Sequence, residues 1–255
     1  MTIGNHNKQI NPLIVHPSPR DIDIVQEALE SISFIDRLIV KYYRPEYLAY
    51  EFIQDYFLKH KEYTHLIIWP DDLVVQKKHV MRLVLDLFEK PYKVIGGICQ
   101  IDNDWYSDKM IISLKPLHPT RGDRFRYFES FDDYYQKDYE TGGWGELLPL
   151  YQDKPIIRTY WQGFPLMAIE RSVLNEITFR NDSSFNNLPK NEGCCLDDVF
   201  CYDCSMEDIP MHTDLRIRMH HLKKNVNNAE LLPKGNRPYT KLLKQKDVVT
   251  EILTS

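Results

Sequence analysis

His65-Leu66-Ile67-Ile68-Trp69 runs straight into Pro70-Asp71-Asp72, and this junction organises the chain around it. A short apolar run without polar alternation is the pattern of a strand buried on both faces. Pro70 ends it by removing an amide donor. Two adjacent carboxylates then stand at the carboxyl end of the strand, where they are costly to hold together unless a cation or hydrogen-bond donors neutralise them. Hard oxygen ligands of this kind suit Mg²⁺ or Mn²⁺, which usually complete their shells with substrate phosphates and water. Pro-Asp-Asp is also good turn chemistry, so the segment by itself supports either reading.

Working outward, strand-like and helix-like patterns alternate. Pro12 to His16 reads as a buried strand ended by Pro17-Ser18-Pro19, and Asp21 offers an N-cap to a helix marked by Ile24, Val25, Ala28, Leu29 and Ile32. Arg37 to Tyr42 is a second strand, and Pro45 opens a second helix carrying Leu48, Phe52, Ile53, Tyr56 and Phe57. After the acids, Val80, Met81, Val84, Leu85 and Phe88 line a third helix, and Lys93 to Ile98 forms a fourth strand. Such alternation predicts an α/β fold with a mostly parallel central sheet flanked by helices. Ligands of these sheets bind beyond the carboxyl ends of the strands, which selects His16 to Pro19 and Pro70 to Leu73.

The composition bounds the rest. The chain has 255 residues, 43% hydrophobic and 27% charged, with a formal net charge of −5. A mean hydropathy of −0.45 and a pI near 6.0 fit a globular protein and argue against broad nucleic-acid binding, which needs a basic field. No run approaches the roughly 20 apolar residues of a membrane span. Met1 to Ile10 carry no apolar signal core, so the expected compartment is the cytoplasm. One domain over residues 1–225, with a C-terminal extension 226–255 packing on it, is the simplest organisation. Between about residue 102 and Ile156 the periodicity breaks into an aromatic, acidic stretch containing Trp144, read as an irregular insertion.

Two further segments carry chemistry. Asp197-Asp198 opens the helical pattern Leu196 to Cys201, where the dipole stabilises acids in the first turn and where a general base can also sit. In Asp214 to His221, alternation of Leu215, Ile217 and Met219 reads as a strand, placing His221 on their face, available to a metal through an imidazole nitrogen.

In order, these segments resemble a glycosyltransferase of the GT-A fold, in particular the large family-2-like group. Tyr63 to Val75 resembles the strand ending in the Asp-x-Asp metal motif, and Val94-Ile95-Gly96-Gly97 resembles the strand that follows. Gly163 to Leu174 is similar to the segment beside the acceptor site. Asp197-Asp198 matches the acidic pair whose second member serves as base, and His221, seven residues after Asp214, matches the late metal-ligand histidine. The likeness covers residues 10–222 and departs at Pro70, which stands where the first Asp of the motif belongs.

The resemblance implies transfer of a sugar from a nucleotide-diphosphate donor to an acceptor hydroxyl on a glycan, lipid or protein. Asp72 and His221 would hold Mn²⁺ or Mg²⁺, with Asp71 substituting for the missing first acid. His16, Pro17 and Ser18 would border the donor's base and ribose. Trp161, Gly163 and Trp144 would flank the acceptor. Asp198, paired with Asp197, would take the proton from the attacking hydroxyl, implying inversion at the anomeric carbon. Three rivals stand beside this. A nucleotidyltransferase uses a similar sheet, but the first turn here, His16-Pro17-Ser18-Pro19-Arg20, lacks the glycine-rich phosphate loop. A zinc-stabilised module would use Cys194, Cys195, Cys201 and Cys204, spaced poorly for a tetrahedral site. A catalytically inactive relative of the same fold is the third, prompted by Pro70.

Overall fold

The computed structural model describes residues 10–20, 22–41, 46–101, 109–110, 155–182, 196–222 and 239–244. The strands, in chain order, are β1 (Pro12–Ser18), β2 (Asp36–Lys41), β3 (His65–Ile68), β4 (Leu73–Val74), β5 (Val94–Ile101), β6 (Lys109–Met110), β7 (Ile156–Thr159), β8 (Met167–Glu170), β9 (Met211–His221) and β10 (Tyr239–Leu243). The helices are α1 (Asp23–Glu30), α2 (Glu46–Lys59), α3 (Lys77–Glu89), α4 (Arg171–Glu176) and α5 (Leu196–Met206).

All ten strands join one sheet in the order β10-β2-β1-β3-β8-β5-β9-β4, with β6 beside β5 and β7 beside β9. The expected α/β class holds, but the sheet is mixed rather than mostly parallel. β1 runs parallel to β2 and β3, and β5 parallel to β9, whereas β8 enters antiparallel between β3 and β5.

Alternation along the strands builds two cores. Leu13, Val15, Leu66 and Ile68 face α2, α4 and α5, and join Tyr50, Phe57, Phe179 and Phe200. Ile14, Ile39, Ile67 and Ile95 face α1 and α3, and join Leu29, Leu83 and Leu87. The buried Gln54 ties α2 to the chain after α4, donating to the carbonyls of Leu174 and Ile177 and accepting from the amide of Phe179.

Several boundaries differ from the sequence reading. β1 continues through Pro17 and Ser18, because its partner β2 pairs as far as Ser18–Lys41. α1 begins after Ile22 without a side-chain cap. β4 and β10 escape periodicity because two residues in one case, and an edge strand bounded by Pro and Lys in the other, carry no clear pattern. Part of the C-terminal extension thereby closes one edge of the sheet, β10 lying antiparallel on β2.

Candidate functional site

Parallel pairing of β1 with β3, Val15 opposite Ile68, brings the residues just past both strands to the same sheet edge. There Arg20 meets the acid pair. Its Nε donates to Asp71 Oδ2 at 2.8 Å and its Nη2 to Asp71 Oδ1 at 2.7 Å, a two-pronged grip, and Nη2 also reaches Asp72 Oδ2 at 3.1 Å. Burial works against the Arg20 charge, but Asp71 and Asp72 outweigh it and raise its pKa. Burial also pushes the Asp71 carboxyl up, against the pull of Arg20. Of the partners the sequence reading allowed, a cation or hydrogen-bond donors, Arg20 supplies both from within the chain. Sequence reasoning missed Arg20, although the need for a cation and its place one turn past β1 were both signals.

The other carboxylate oxygen of Asp72 faces a different element. β4 pairs antiparallel with the end of β9, Leu73 opposite His221, and the Leu222 amide donates to the Asp72 carbonyl at 2.8 Å. This places His221 Nε2 3.5 Å from Asp72 Oδ1. Two ligands that share one ion at roughly 2.1 Å each lie about 3.0–3.5 Å apart, so the pair fits two positions of a divalent cation. Among the described residues no group of three or more His, Cys, Asp or Glu side chains gathers into a closed cage.

His16 lies one layer deeper than expected. Its ring is fully buried and packs edge-on to Trp69, with Nδ1–H donating to the Trp69 carbonyl at 2.8 Å and Nε2 accepting from Gln26 at 3.0 Å. Burial lowers its pKa to about 4, so it is neutral at physiological pH, the form these two bonds require. Pro17 and Ser18 are likewise buried. Ser18 serves the site through Arg20, donating to the Arg20 carbonyl at 2.6 Å.

Trp161 and Gly163, expected beside an acceptor, lie just before β8, whose Met167 pairs with Ile68 and so opens on the same edge. Gly163 has φ +66°, and a methyl group built on it would lie 3.6 Å from Asp197 Oδ2 and 3.9 Å from the Trp161 ring. Leu166 in the same turn is held at φ 49°, a strained backbone for a leucine. Asp197 Oδ1 accepts the Asp198 amide at 3.0 Å in the first turn of α5. Trp161 is only 8% exposed and packs in the core, leaving little ring face for a sugar. The structure thus assembles two groups on one edge, Arg20–Asp71–Asp72–His221 and Trp161–Gly163–Asp197. Trp144 and the insertion around it lie outside the described residues, as do Cys194 and Cys195. Cys201 and Cys204 are buried in the core, where burial raises both thiols.

A cavity of about 260 Å³, lined by Arg158, Tyr160, Ser205, Asp208 and Met211 among others, opens where β9 begins. That is the amino edge of β5 and β9, opposite the acids and away from where ligands of such sheets bind.

No family model matches the chain, and no curated protein matches it in sequence. Among solved structures, the chain is similar to one titled "Crystal Structure of A197 from STIV". The two share 13% identity over 93% of this chain and 95% of that one, with a TM-score of 0.47. Among the described residues, no helix is long and apolar enough to cross a membrane.

Proposed function

We propose that the chain is a divalent-metal-dependent glycosyltransferase that moves a sugar from a nucleotide-diphosphate donor to an acceptor hydroxyl. The observation that carries this is Asp72 facing His221 across the β4–β9 pairing, 3.5 Å apart at the carboxyl edge of the sheet. Asp72 and His221 would hold Mn²⁺ or Mg²⁺, which supplies neutralisation of the charge that develops on the nucleotide-diphosphate leaving group. Asp71 is kept in place by Arg20 at the donor side, and His16 and Ser18 support that turn from beneath. Asp198 takes the proton from the acceptor hydroxyl, and Asp197 faces the Gly163 turn where the acceptor lies. Attack from the side of the α5 acids, opposite the leaving group, inverts the anomeric carbon.

Thermal unfolding with UDP, GDP, CDP and dTDP, each with and without Mn²⁺, tests the donor site. A diphosphate at about 100 times its dissociation constant adds roughly 2.7 kcal/mol of stability. A rise for one base only in the presence of Mn²⁺ supports the reading and names the base. Asp72→Ala abolishes that rise. Asp198→Asn keeps it and lowers transfer by roughly 10²–10⁴-fold. Transfer surviving in Asp198→Asn and lost in Asp197→Asn reassigns the base.

The contact of Arg20 with both acids favours one second reading, a catalytically inactive binding protein of similar shape, since a cationic partner for the pair is already present without a metal. A diphosphate that stabilises the protein equally with and without Mn²⁺, with no transfer to any acceptor, selects it.

A further inference from the structure

We propose that Arg20 is an internal counter-ion, holding Asp71 and Asp72 in the free protein and turning to the ligand's phosphates when a divalent cation takes Asp72 and His221. The inference rests on the metal–phosphate reading of this edge and adds an order and a sign to it.

The three bonds of Arg20 are unequal. Nε and Nη2 grip Asp71 at 2.8 and 2.7 Å, whereas the contact of Nη2 with Asp72 is longer, at 3.1 Å. A cation arriving at Asp72 therefore displaces the weakest bond and leaves the grip on Asp71 intact. Nη1 takes part in none of the three, so its protons are the ones to offer a phosphate, which a guanidinium binds through paired N–H groups. The Arg20 backbone is anchored through Ser18, so the guanidinium stays at this edge.

Charge gives the order of events. Two carboxylates face one guanidinium here, and the Lys41 ammonium stands 3.4 Å from Ser18 Oγ, so the free edge is close to neutral and has no surplus to draw a diphosphate. A divalent cation makes that edge net positive and frees Arg20 from Asp72 to face the anion. The Arg20 and Asp71 side chains are 14% and 7% exposed, so these charges are poorly screened. Arg20 thus competes with the metal and assists the anion, two effects of opposite sign from one residue.

The experiment uses the full chain as wild type, Arg20→Gln and Arg20→Lys, each checked for folding by circular dichroism. Binding of Mn²⁺ alone is read from the electron paramagnetic resonance of the free ion. Binding of the preformed Mn²⁺–pyrophosphate complex is read by calorimetry. Arg20→Gln is expected to bind Mn²⁺ alone roughly tenfold more tightly and the complex roughly tenfold more weakly. Arg20→Lys keeps the charge and loses the fork, so its Mn²⁺ affinity stays near wild type while the complex binds more weakly. If Arg20→Gln fails to fold, the lysine variant carries the test. Both affinities moving the same way, or either one unmoved in Arg20→Gln, overturns the counter-ion role. A wild-type protein that binds neither Mn²⁺ nor the complex overturns the metal–phosphate reading, and this proposal with it.

Discussion

At the scale of single residues, the glycines separate close packing from special conformation. A methyl group on Gly97 would come within 2.6 Å of the Ile217 side chain and carbonyl and of the Met219 methyl. Backbone cannot yield as a flexible side-chain tip can, so Gly97→Ala is expected to cost roughly 1–3 kcal/mol, read from the urea midpoint. Gly163 meets no such contact but holds φ +66°, so Gly163→Ala strains the turn beside Asp197. Its larger effect is expected on transfer rather than on stability, and parallel measurement of both separates the two. Tyr63 presents a third case. Its hydroxyl, on an almost fully buried ring, donates to Asp36 at 2.5 Å beside the Lys244 ammonium. Tyr63→Phe leaves that buried carboxylate one donor short and is expected to lower stability by about 1–3 kcal/mol.

At the scale of elements, α3 and β9 are joined by two acids and two arginines that periodicity could not pair. Asp86 on α3 and Asp214 on β9 are both fully buried. Arg216 binds Asp214 at 2.8 Å and reaches Asp86 at 3.3 Å, while Arg82 contacts Asp86, Asp214 and Glu89. Asp86 Oδ2 has no donor among the described residues. Burial pushes the Asp86 carboxyl up to about 7, with the Asp214 carboxylate adding to the rise and Arg82 opposing it. The folded protein then keeps a proton that the unfolded chain, at 3.8, has given up. Stability from this group is full below about pH 4 and is lost as the pH climbs to about 7. His16 and His79, both lowered to about 4 by burial, act oppositely and cost stability as the pH falls from 6.5. The wild-type profile sums these opposing slopes, so the informative quantity is a difference. Asp86→Asn imitates the protonated acid, and its unfolding free energy relative to wild type is expected to rise steadily with pH across that window. A flat difference places the proton elsewhere.

At the scale of the whole molecule, the sheet brings distant segments to one edge. The elements that hold Asp72 and His221, β4 and the end of β9, meet only because β9 crosses the sheet beside β5 with an irregular register between Gly96 and Ile98. Residues Asp214 to Ile217 bulge there, pinned by the Arg216 amide on Asp214 and by the contacts to α3. Asp214→Ala removes that pin, and the expected outcome is a lower melting temperature together with weaker Mn²⁺ binding, although Asp214 lies far along β9 from His221. Melting temperature falling alone would show that the bulge does not set the position of His221.

The existence of β1, β2, β3 and β5 and of the helices between them, the helix at Asp197 and the strand ending in His221 were legible in the sequence, because apolar period and proline punctuation are local properties; the two-residue β4 was not. So was the need for a cation or hydrogen-bond donors at Asp71-Asp72, since adjacent carboxylates at a strand end carry their cost wherever they lie. The identity of that partner was not legible. Arg20 is separated from the acids by two strands and two helices, and only parallel pairing of β1 with β3 makes them neighbours. The antiparallel entry of β8, the burial of His16 and Trp161 and the α3–β9 charge cluster likewise depend on which faces meet across the sheet. Pairing energy and exclusion of water are properties of the assembled layers, so these features were decided only when the chain folded.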